Sequence, residues 1–142
     1  MVRSIEEANS IIPELERIFG KVSELNEKSV CLTKDLQSLF DIWGEQIRDE
    51  KNPDHFFYTE KASKREAMSK DIQKELGKIR EFGGVVKDVH KGLVDFYFER
   101  EGEAIYLCWK LGEDRIKHWH YARSGFTGRR PIEELNQAAS MG

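Results

Sequence analysis

The sequence predicts an α+β protein: a long antiparallel helical hairpin with a small antiparallel β-meander of about four strands. Three observations carry that expectation. The chain has 142 residues, one ordinary domain's worth with room for an appended element, and 35% of them are charged. Its texture changes near Gly83-Gly84: the first 82 residues hold 14 basic and 17 acidic side chains but three glycines, and the rest hold nine of each sign, eight glycines and eight aromatics. Apolar residues recur every three or four positions before that point and every second position after it. The expected organisation is therefore 1–82 as a coiled-coil-like hairpin and 83–142 as a sheet with a C-terminal loop and tail, together one structural unit.

Helix one opens at Ser4, with Glu7 at the spacing of a capping box, where each side chain satisfies an amide of the first turn. Two interleaved sets then recur every seven residues: Ile11, Ile18, Leu25, Leu32, Leu39, and Ala8, Leu15, Val22, Ser29, Leu36, Trp43. Together they form an a/d seam over about five heptads. Ser29 is its polar member, and a bend or local break is expected there. Asn52-Pro53-Asp54 ends the helix, because proline disfavours helical geometry in the residue before it. Phe56, Phe57 and Tyr58 are expected to pack that turn. A second helix is predicted over 59–82, with Ala62, Met68, Ile72, Leu76 and Ile79 on one face and Gly83 as the residue that stops it. Helix one would span roughly 65–70 Å and helix two roughly 35 Å, so part of the seam lacks an internal partner. Self-association through helix one is the expected cover, giving a homodimer.

Strands are predicted at 84–90, 93–98, 103–110 and 115–121, separated by Lys91-Gly92, Arg100-Glu101-Gly102 and Gly112-Glu113. Alternation sets Val94, Phe96 and Phe98 against Leu93, Asp95 and Tyr97, and Ile105, Leu107 and Trp109 against Tyr106 and Cys108. Both faces read as largely apolar, so both are expected to be covered. Residues 124–142 read as loop and tail, with a short helical turn opening at Pro131 and a frayed end over 136–142.

Composition excludes several classes of function. A net charge of −3 argues against binding nucleic acid or anionic lipid by bulk charge. No segment approaches the roughly 18 apolar residues of a membrane span, and the opening MVRSIEEANS carries no secretory h-region. Two cysteines, Cys31 and Cys108, are too few for a disulfide framework, so a reducing cytoplasm is expected. Phosphate-loop, dinucleotide, CxxC and HExxH motifs are all missing.

The chemistry-bearing residues concentrate between Asp88 and Arg130. His118 and His120 lie two apart on a strand and project to one face. With Cys108, Asp95 or Glu113 they have the donor types for a zinc-like ion, and otherwise they are an edge-strand pair beside an aromatic. The 125–130 loop, with two glycines and then Arg129-Arg130, suits a phosphate or carboxylate, or equally a structural arginine pairing with Asp95 or Glu113. Cys108 sits in Tyr106-Leu107-Cys108-Trp109, which favours a buried inert thiol over a Cys108/His120 nucleophile–base pair oriented by Asp95. Asp95, within Leu93-Val94-Asp95-Phe96, must find an arginine or histidine if its face is covered.

Glu7-Ala8-Asn9, Pro13-Glu14-Leu15, Gly92-Leu93-Val94-Asp95-Phe96, Leu107-Cys108-Trp109, Leu111-Gly112-Glu113, Trp119-His120 and Gly125-Phe126-Thr127-Gly128-Arg129 follow one another in a familiar order. Over residues 4–133 the chain resembles the bacterial and archaeal family called domain of unknown function 2203. The resemblance implies that Asp95, Cys108, Trp109, Glu113, His120 and Arg129 form one recurring set, and leaves His118 and Arg130 outside it. It implies individuality in the 52–58 linker and brings no established activity.

The expected function is a binding or assembly role, with Asp95, Glu113, His120 and Arg129 around a polar pocket. The alternative is a metal-dependent or thiol enzyme using Cys108 and His120, with Cys108, His118 and His120 as candidate ligands of a divalent metal. Whether the chain is an enzyme is left open at this level.

Overall fold

The capping serine is where the spacing predicts it: Ser4 Oγ accepts the Glu7 amide at 3.0 Å. Glu7 returns the favour one residue early, its Oε2 accepting from Arg3 N at 2.8 Å. In the computed structural model, which describes residues 1–135, helix α1 then runs from Ile5 to Trp43. It continues unbroken through Ser29, so the expected break does not occur. Pro13 lies inside it; the ring cannot donate to the Asn9 carbonyl. Gly44, at φ +59, ends the α-helical path, and a short 3-10 turn follows at Gly44–Arg48.

Helix α2 spans His55–Glu81, opening four residues earlier than predicted. Asn52 Oδ1 accepts from Asp54 N, and the Tyr58 amide already reaches Asp54 O, so the polar turn is short and the helix begins directly after it. Trp43 Nε1 donates to Asp54 Oδ2 at 2.8 Å, and His55 Nδ1 meets Ile47 O, tying the turn together. Phe56 and Phe57 consequently sit on the first turn of α2 and are exposed; they do not pack the turn. Lys61 pairs with Asp35 and Arg65 bonds Thr33, the order of contacts expected of two antiparallel helices. Gly83, at φ +88, closes α2 through its amide to Arg80 O.

Five strands follow in meander order, one more than expected: β1 Gly84–Asp88, β2 Leu93–Arg100, β3 Glu103–Lys110, β4 His118–Tyr121 and β5 Arg130–Pro131. β1 stops at Asp88 because its Oδ1 accepts the Lys91 amide and bends the chain. Positive φ at both Glu101 and Gly102 makes a two-residue hairpin turn that lets β2 run to Arg100. β4 begins only at His118, since Ile116 N donates to Asn9 Oδ1 and is spent outside the sheet. The Lys117 carbonyl accepts from Ile132 N on the β5 side. Pro131 belongs to β5, and the helical turn begins after it; the expected frayed end, 136–142, lies outside the described residues.

Two compact units result, Met1–Phe19 with Leu76–Gly142, and Gly20–Glu75. In the first, Ala8, Ile12, Leu15 and Phe19 from α1 are buried together with Val94, Phe96, Leu107, Trp109 and Trp119 from the sheet. Phe19 lies 6.0 Å from Trp109, ring centre to ring centre. In the second, Val22, Leu25, Leu36 and Ile47 are buried. Only one sheet face is apolar and sealed. The opposite face carries Asp95, Tyr97, Tyr106, Cys108, His118 and His120, correcting the expectation of two apolar faces. Asp95 and His120 are buried on it, and the remaining four are half-buried.

Candidate metal centre

Register brings the polar face together. Asp95 stands opposite Cys108 across β2 and β3, and Cys108 opposite His118 and Tyr106 opposite His120 across β3 and β4. Asp95 and His120 are therefore two strands apart and two residues out of line, farther than the about 9.6 Å of two strand spacings. Their side chains span the gap over β3, and His120 Nε2 comes within 3.0 Å of Asp95 Oδ2. The Cys108 sulfur joins them: among the described residues, one ligand atom each from Asp95, Cys108 and His120 forms a group lying within 4.8 Å of one another. A tetrahedral ion with bonds of about 2.0–2.3 Å separates its ligand atoms by about 3.3–3.8 Å, so the sulfur would close in and the 3.0 Å Asp95–His120 contact open slightly to take one.

The imidazole is oriented for this. His120 Nδ1 meets the Tyr121 carbonyl at 2.8 Å, and Tyr106 stacks on the ring with centroids 5.4 Å apart. A carbonyl only accepts, so Nδ1 carries the proton and Nε2 is directed at Asp95. Both ring nitrogens face acceptors. That geometry is satisfied by a proton on each, or by a cation in place of the proton on Nε2.

Cys108 is half-buried beside that carboxylate. Burial raises its thiol above the ordinary range, and the neighbouring Asp95 raises it further, as does Glu113 more weakly; Arg129 acts in the opposite sense. The thiol thus keeps its proton unless a cation replaces it. Asp95 with a Cys108 thiolate and a neutral His120 amounts to two negative charges, which a divalent ion neutralises.

The cluster forms the floor of a cavity of about 580 Å³, with Glu113, Ser124, Gly125 and Arg129 among its walls. Glu113 Oε1 accepts the Lys110 amide at 2.7 Å, and its backbone carbonyl accepts from Trp109 Nε1. His118 does not join the three candidate donors. Its Nδ1 lies 3.9 Å from Glu113 Oε2, beyond hydrogen-bond distance, and is buried without a partner. Arg130 turns elsewhere, stacking over Trp119 and pairing with Glu134 at 2.8 Å. Asp95, Cys108, Glu113, His120 and Arg129 therefore converge, while His118 and Arg130 stand outside the cluster.

Sequence reasoning passed over Tyr106 and the lysines at the cavity edge, Lys87, Lys91 and Lys110. Tyr106 was recoverable, since alternation sets it on the face of Cys108. The lysines carried no signal, as surface lysines occur throughout the chain. Of the two functional readings, the Asp/Cys/His cluster supports the metal alternative better than the binding or assembly role.

Every residue of this cluster falls inside a wider correspondence. No curated protein and no solved structure matches the chain. Residues 2–132 match the family described as Uncharacterized conserved protein (DUF2203), which takes in the first helix, the sheet and the whole cavity floor. Over that length, the chain belongs to the DUF2203 family.

Proposed function

We propose that Asp95, Cys108 and His120 hold a divalent transition-metal ion of the zinc class and that the protein is a metal-dependent enzyme. The observation that carries this is the convergence of three different donor types, two of them buried, at the floor of a cavity. Three protein ligands leave one position of a tetrahedral ion open toward that cavity, the pattern of catalytic zinc sites. Such an ion polarises a bound substrate or lowers the pKa of a bound water to about 7. The thiol-enzyme branch has less support: a nucleophilic cysteine needs a lowered pKa, and burial and Asp95 drive Cys108 the other way. We therefore read Cys108 as a ligand.

Cobalt titration of the metal-free protein tests this directly. The expected result is about one ion per chain with a thiolate-to-cobalt charge-transfer band, lost in Cys108→Ser and weakened at least tenfold in His120→Ala. Stoichiometry near zero in the wild type, or binding without the thiolate band, overturns the assignment.

Self-association through helix one is a separate proposal. Its support is the apolar surface left in the Gly20–Glu75 unit, where Val30 and Ile42 of α1 and Phe56 and Phe57 of α2 are all exposed.

A further inference from the structure

We propose that the rim of the cavity binds the oxyanion group, carboxylate or phosphate, of a small-molecule substrate. The substrate's placement against an ion rests on the metal reading above; the rim's affinity for an anion does not. The chain as a whole is net −3, yet the cavity lining reverses that sign: Lys87, Lys91, Lys110 and Arg129 outnumber Asp88, Asp95 and Glu113.

The acidic groups are also engaged. Asp88 Oδ1 accepts the Lys91 amide, Glu113 Oε1 the Lys110 amide, and Asp95 faces His120. The lysine ammonium groups are not: among the described residues, no ion pair involves Lys87, Lys91 or Lys110. Lys87 is instead held over the Tyr106 ring at 5.8 Å, and Tyr106 stacks on His120, so this ammonium is carried toward the cluster. Arg129 adds a fourth cation to the cavity lining. The cavity has the size of ordinary small-molecule sites, which fall at about 300–1,000 Å³. Cations on its rim and an Asp/Cys/His floor give it two unlike ends. A ligand that satisfies both carries an oxyanion at one end and a metal-directed group at the other.

The test uses the metal-free full chain, so that the rim is read without the ion. Amide resonances of Lys91 and Gly125 are followed by NMR during titration with sodium phosphate and, separately, sodium acetate, at ionic strength held constant with chloride. Saturable shifts at both positions are expected, and whichever anion saturates first identifies the preferred oxyanion. The double variant Lys87→Gln/Lys91→Gln should weaken that binding about tenfold or more while its cobalt stoichiometry stays that of the wild type. Absence of saturation with either anion in a protein that takes up one cobalt per chain overturns the rim proposal and leaves the metal reading standing. Saturation in a protein that takes up no cobalt supports the rim and overturns the metal reading. Unchanged anion affinity in the double variant also overturns the proposal.

Discussion

Asp95 is buried and its carboxylate meets the His120 imidazole at 3.0 Å, so the two side chains depend on each other in the absence of an ion. His120→Ala leaves a buried carboxylate beside a half-buried thiol, and the cost is that of breaking a buried pair. Chemical denaturation of the metal-free variant should show a loss of about 3–5 kcal/mol, and a loss below about 1 kcal/mol would mean that the carboxylate is solvated. Cys108 gives a pH dependence. Below the usual thiol value of 9.0, folded and unfolded chains both hold the proton, and this contribution is constant. Above it, the unfolded thiol ionises while burial and Asp95 keep the folded one protonated, so stability falls as pH rises. The slope approaches about 1.4 kcal/mol per pH unit at most. Cys108→Ala should flatten the fall between pH 9 and 10.5 in thermal unfolding, and parallel curves for the two proteins would contradict the assigned environment.

At the level of elements, the turns decide where the site residues land. Gly92, between β1 and β2, has φ +70, and a Cβ there would lie 2.5 Å from Leu111 Cβ. The Leu111 amide also bonds the Gly92 carbonyl, so the two turns at this end of the sheet interlock. Gly92→Ala combines left-handed backbone strain with overpacking and should cost about 2–4 kcal/mol by denaturant titration. A near-neutral result would mean that the turns separate freely. The alternation of Leu93, Asp95 and Tyr97 against Val94 and Phe96 was legible because a strand obeys it whatever its neighbours do. The start of β4 was not. Residues 115–117 are as strand-like as their successors, but Asn9, more than a hundred residues earlier, takes the Ile116 amide. No local pattern carries that bond.

Across the molecule, the heptad seam of α1 meets different fates along its length. Ala8, Leu15, Ile18, Val22, Leu25 and Leu36 are buried, whereas Leu32, Leu39 and Trp43 are half-buried and Val30 and Ile42 beside them are exposed. That surface underlies the self-association proposed for helix one. Light scattering at micromolar concentration should return twice the 16.6 kDa chain mass, and Ile42→Glu/Phe56→Glu should return one chain mass with the melting temperature kept. A monomeric wild type disposes of the proposal. Among the described residues no helix is long and apolar enough to cross a membrane, in keeping with the charge-rich composition.

The sequence by itself determined the helices, the strand alternation, the hairpin turns and the set of residues able to do chemistry, because each follows from periodicity, φ preferences or side-chain type within a few positions. It also located that set within about 50 residues, where the aromatics and glycines gather. The tertiary structure alone decided which members meet. Asp95 joins Cys108 and His120 where His118 does not: register sets Asp95 and His118 both opposite Cys108, and side-chain direction decides, His118 turning Nδ1 toward Glu113 while His120 reaches across β3 to Asp95. The sign of the cavity is likewise a tertiary property: lysines unremarkable in a chain of net −3 become a cationic rim only when β1, β3 and the turn between β1 and β2 meet around one opening.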